Sequence, residues 1–178
     1  MNNDATRQQT ENRLLTGMFN DRASAEGAYN SAISRGYTKD DVNLLMSDET
    51  RKNHFSDTET ELGSKALEGA GTGSAIGGTL GAIIGGIAAI GTSLALPGLG
   101  LIIAGPIAAA LAGAGAGGLT GGLIGALVGA GIPEDRAQAY EQGLKDGKIM
   151  VGVNPRNTED AEYFENEWKN HKGEDIYR

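Results

Sequence analysis

Between Glu68 and Glu134 the chain carries no charged side chain, and this block holds two ladders of glycine spaced four residues apart. The first runs through Gly69, Gly73, Gly77, Gly81 and Gly85, and the second through Gly113, Gly117, Gly121, Gly125 and Gly129. A glycine inside a helix costs about 0.8–1 kcal/mol relative to alanine, so each ladder carries a penalty of roughly 4–5 kcal/mol. Helical spacing of so poor a helix former requires compensation from packing. Small residues four apart make a groove into which another backbone can settle closely.

The block therefore reads as a glycine-zipper helical hairpin. At about 1.5 Å per residue, helices over 69–93 and 105–131 would each be close to 40 Å long, more than the roughly 30 Å hydrocarbon core of a bilayer. Pro97, Gly98 and Gly100 in "LALPGLGLIIAG" break the helix and supply the turn. In the first helix Ile76, Leu80, Ile83, Ile84 and Ile87 recur on one side, and the glycines fall largely on the other. The Ile and Leu residues of that segment contribute only about −2 to −4 kcal/mol to membrane insertion. That is enough for a paired hairpin in lipid and equally compatible with a soluble oligomer that buries the same faces.

The polar flanks have a different organisation. Residues 1–13 read as a disordered tail, poor in apolar side chains. Residues 14–47 give a strand at "LLTGMF", an amphipathic helix with Ala25, Ala28, Tyr29, Ala32 and Ile33 on one face, and a second strand at "VNLLMS". Residues 48–68 form a polar linker, and the hairpin occupies 69–131. In 132–178, a helix opened by Pro133, Glu134 and Asp135 precedes a second strand–helix–strand unit. Its strand is "KIMVGVN", and its helix places Ala161, Phe164 and Trp168 together. Two such units predict an α+β fold, a ferredoxin-like sandwich of four antiparallel strands with both helices on one face and the hairpin inserted between its halves.

Charge and composition exclude several functions. A net charge of −8 without any basic run argues against nucleic acid as a partner and gives no electrostatic pull toward anionic lipid. The absence of cysteine removes disulfides and thiol chemistry. "GAGAGG" matches a dinucleotide fingerprint through Gly113, Gly115 and Gly118, but it lacks the preceding strand and the acidic residue that a ribose needs. His54 and His171 have no companion at metal-binding spacing. The carboxylate pairs Asp40–Asp41 and Glu134–Asp135 read as helix-start charges, and Trp168 with Phe164 and Tyr163 reads as core. No catalytic residue, metal or cofactor is expected, and the chain reads as a non-enzymatic protein.

The run 94–153, with its "PGLG", "AGP", "GIPE" and the passage from Tyr140 through Gly143 to the strand at 148–153, resembles bacterial heat-induced or general stress proteins of the YflT type. "GMFNDRASAEGAYNSAISRGY" looks like the N-terminal strand and helix of that family. The resemblance implies a stress-associated role and no known reaction. From the charge-free block and the glycine ladders, the expected partners of the chain are further copies of itself and a lipid bilayer. The expected location is the cytoplasmic membrane with the polar domain facing the cytoplasm, or alternatively the cytoplasm itself.

Overall fold

The computed structural model describes residues 14–55, 94–96, 100–108 and 122–178. These build a mixed α/β domain around one antiparallel sheet. Its strands are β1 (Leu15–Phe19), β2 (Val42–Ser47), β3 (Leu94–Leu96), β4 (Leu101–Ala104), β5 (Ile149–Val153) and β6 (Glu174–Tyr177). Across the sheet they run in the order β3-β4-β2-β5-β1-β6. Both β1 and β2 pair with β5, which lies between them, in registers that set Leu15 and Val42 opposite Val153.

Strict alternation along these strands supplies two apolar faces, because successive side chains of a strand point to opposite sides. Leu15 and Phe19, Val42, Leu44 and Met46, and Ile149, Val151 and Val153 face one side. That side is covered by α1 (Arg22–Ser34) and α5 (Thr158–Asn170), where Ala25, Ala28, Tyr29, Ala32, Phe164 and Trp168 are buried as their helical spacing predicts. Ile33, assigned to the same face, is instead partly exposed. Both helices start on side-chain caps: Asp21 accepts from the Ser24 N–H at 2.8 Å, and Asn157 accepts from the Asp160 N–H at 2.7 Å. A shorter helix, α2 (Asp48–Phe55), occupies the start of the expected linker and sends Phe55 into this core.

The opposite face is also covered. Met18, Leu45, Ile103 and Met150 pack beneath α3 (Gly122–Gly129) and α4 (Glu134–Lys145), through Leu123, Leu127, Ala137, Tyr140 and Leu144. Sequence periodicity identifies the stripe of α4, whereas the layer it forms with α3 is a product of the tertiary structure. The sheet is therefore enclosed by helices on both sides, not on one.

The centre of the charge-free block departs most from expectation. The reading of "LALPGLGLIIAG" as a turn alone is overturned: β3 and β4 form a β-hairpin, with Leu96 opposite Leu101, and β4 pairs with β2. A continuous helix from Gly105 to Gly131 is likewise overturned. Gly105 (φ +95°) and Gly122 (φ +61°) lie in the left-handed region, which interrupts a right-handed helix. Gly105 is also held against β2, where a Cβ would fall 2.2 Å from the Val42 carbonyl oxygen. The tail 1–13 and most of both glycine ladders lie outside the described residues.

Candidate functional site

Of the glycines assigned to helix packing, Gly69, Gly73, Gly77, Gly81, Gly85, Gly113, Gly117 and Gly121 lie outside the described residues, as do Pro97 and Gly98 of the turn. Gly125 and Gly129 are in α3. They sit on its exposed side, and a Cβ added to either would meet no atom within 4 Å. The helix packs inward through Leu123 and Leu127 instead, leaving Val128 43% exposed between the two glycines. Gly100 does belong to a turn, that of the β-hairpin, where its carbonyl accepts the Asp48 N–H at 2.7 Å.

Among the described residues, a dense polar cluster joins the two strand–helix–strand units. The Tyr37 hydroxyl donates to Asp160 Oδ2 at 2.6 Å and accepts the Arg156 N–H at 2.7 Å. Arg35 donates to Asp160 Oδ1 at 2.8 Å and to Glu159 at 2.6 Å, and the Arg156 guanidinium lies over the Tyr37 ring at 4.0 Å. Burial and the Asp160 hydrogen bond push the Tyr37 phenol up to about 12. The Tyr37 hydroxyl and then Arg35 hold the Asp160 carboxyl below its ordinary value. A phenol with that acidity, already engaged as donor and acceptor, is a poor proton carrier near neutrality. The cluster acts as a clasp.

A second polar group spans the other face. Thr16 and Tyr140 share a buried hydrogen bond of 2.7 Å, and the Tyr140 hydroxyl donates to the Asp175 carbonyl at 2.9 Å. Nearby, Asn43 Oδ1 accepts the Ile107 N–H at 2.7 Å, which ties the turn after β4 to β2. Neither contact is legible from composition or spacing. The only hint is polar residues at inward positions of strands that are otherwise apolar.

A small groove lies between β2, β4, α3 and α4, lined by Ser47, Leu101, Leu123, Glu141, Leu144 and Lys145. Its ion pair, half-buried Glu141 with exposed Lys145 at 3.2 Å, is an i,i+4 contact along α4. No nucleophile stands beside a base there. Among the described residues no group of three or more His, Cys, Asp or Glu side chains could hold a metal ion. Trp168 is fully buried, and its indole N–H reaches the Ala28 carbonyl at 3.2 Å, so it is a core residue and not a ligand platform.

Among the described residues no helix is long and apolar enough to cross a membrane. The chain matches no protein-family model, no curated protein and no solved structure.

Proposed function

We propose that the chain is a non-enzymatic, self-assembling protein of the stress-associated kind, a ferredoxin-like α+β domain whose glycine-rich segments form the contact surface between copies. The order β2-β5-β1-β6, with α1 and α5 on one face, supports the ferredoxin-like reading. The resemblance to the YflT-type family supports the stress association. Assembly would proceed without cofactor, metal or nucleic acid.

The observation that carries this reading is the β-hairpin in the middle of the charge-free block. It anchors the block to the sheet at β3 and β4, so residues 56–93 and 109–121 each begin and end at described elements of the domain. Only residues 109–121 separate Ala108 from Gly122. Thirteen residues rise about 20 Å as a helix, and fully extended they reach out and back by only about 22 Å, short of the roughly 30 Å of a hydrocarbon core. Residues 56–93 open with Asp57, Glu59, Glu61, Lys65 and Glu68, leaving far fewer than the roughly 40 apolar residues that a crossing and return would use. Contact between copies makes use of the same small-residue surfaces without a crossing.

Sedimentation velocity of the full chain in detergent-free buffer tests the proposal. The expected result is a species several times the 18.3 kDa monomer, shifted toward monomer by Val128→Glu, which places a charge on the exposed face of α3 without touching its buried side. A wild-type chain that stays monomeric at every concentration, or that co-floats with phospholipid on a density gradient, would overturn it. The second outcome would restore the bilayer as partner.

A further inference from the structure

A sheet edge carries a row of backbone N–H and C=O groups that need partners, and the two edges of this sheet treat them differently. The β6 edge is guarded. Glu174 and Asp175 are exposed carboxylates there, the register against β1 shifts between Thr16 and Met18, and Asp175 sits at φ +47°, outside extended geometry. The Asp175 carbonyl is already taken by the Tyr140 hydroxyl at 2.9 Å, and Lys148 reaches Glu174 at 2.6 Å. A strand added to that edge would meet a bulged and charged ribbon.

None of these devices protects β3. Its three residues, Leu94, Ala95 and Leu96, are uncharged and pair with β4 in unbroken register. Among the described residues β4 is its one partner, so the other side of its backbone faces away from the sheet. Two copies of a chain with net charge −8 repel each other, and the charge-free block is where they can meet without setting like charges opposite.

We propose that β3 pairs with β3 of a second copy, antiparallel about a two-fold axis at Ala95. The inference rests on the self-assembly reading above and names the contact that orients it. Leu-Ala-Leu is its own complement under that operation: Ala95 stands opposite Ala95 of the second copy, and Leu94 opposite its Leu96. Pairing β3 with β6 of another copy would instead lay an uncharged strand along the bulge at Glu174 and Asp175. The two-fold contact consumes both β3 edges, and Pro97 follows the strand directly, so it closes at two copies and does not propagate as a fibre. Three residues from each copy supply roughly two to four hydrogen bonds, far less than a standard interface of about 1,600 Å². The edge therefore sets orientation and register, and the glycine-rich surfaces supply the area.

Because the chain has no cysteine, Ala95→Cys in the full-length protein introduces a single thiol, and any disulfide must join two copies. Residues directly opposite in an antiparallel pair have Cα atoms about 4.5–5.5 Å apart, inside the roughly 4.4–6.8 Å that a disulfide spans. Mild oxidation should convert most of the Ala95→Cys protein to a linked dimer on a non-reducing gel. Glu174→Cys, on the opposite edge, should stay at the level set by random collision. Amide exchange of the wild type gives a second readout: the outward amides of Leu94–Leu96 should slow as protein concentration rises, and those of Glu174–Tyr177 should not. Linking of Ala95→Cys no greater than that of Glu174→Cys, or β3 exchange independent of concentration, would overturn the inference. With a wild type that still sediments as a multimer, that result removes the edge pairing alone; with a monomeric wild type, self-assembly falls with it.

Discussion

Replacing Gly105 by alanine examines how firmly the β-hairpin is held in the sheet. Two costs combine there. An L-residue at φ +95° carries a conformational penalty of about 1–2 kcal/mol. The new Cβ would also fall 2.2 Å from the Val42 carbonyl oxygen and 2.9 Å from Asn43 Cα, both backbone atoms of a strand paired on both sides. Relieving the contact needs a backbone shift of about 1 Å, and overpacking of that kind costs about 1–3 kcal/mol. The sum, roughly 2–5 kcal/mol, is a large part of the 5–15 kcal/mol that typically separates folded from unfolded domains. Gly100→Ala is the matched control, since Gly100 also has positive φ (+59°) but an added Cβ there meets nothing within 4 Å. Urea unfolding of the two variants isolates the steric part, and amide exchange over Leu101–Ala104 shows whether the hairpin detaches before the domain unfolds. Equal losses in stability, with unchanged exchange in β4, would refute the close approach of Gly105 to β2.

The clasp between the two units gives two further expectations. Tyr37→Phe removes one donor to Asp160 and the acceptor of the Arg156 N–H, and should cost about 2–3 kcal/mol by chemical denaturation, since hydrogen bonds to a charged group are the stronger kind. A loss within 0.5 kcal/mol would mean that the clasp is solvent-compensated. Because the folded Asp160 carboxyl is held below its ordinary value of 3.8, its stabilisation is present above that value and is lost as pH falls through the lower, folded value. Melting temperatures measured from pH 7 to pH 2 should show this acid-limb loss, and Asp160→Asn should flatten it. An unchanged acid limb in that variant would assign the loss to other carboxylates.

Much of the sheet was legible because local rules and tertiary structure agree. The buried stripes of α1, α4 and α5 and the strands β1, β2 and β5 follow from periodicity, caps and apolar runs. The β-hairpin was not, although "LAL" and "LIIA" around Pro97 and Gly98 carry a hairpin's signature of apolar runs about a turn. The glycine spacing on either side is helical, and in a charge-free block no polar alternation marks which face of a short strand is buried. The Tyr37–Asp160 clasp and the Asn43–Ile107 contact join residues more than 60 positions apart. Contacts of that kind depend on strand order, which is a property of the whole chain.

The position of β5 between β1 and β2 has a consequence for how the molecule comes into being. Leu15 pairs with Val153, 138 residues later, and β1 and β2 never bond to each other. A nascent chain therefore makes both strands, and then the whole charge-free block, before the strand that joins them exists. At about 5–20 residues per second, that interval is roughly 7–28 s. Closing so long a loop is entropically costly and favours slow, late folding. β2, β4 and β3 can pair before β5 is made, but among the described strands β1 bonds only to β5 and β6, so a product truncated before Ile149 would keep β1 unpaired beside its glycine-rich block.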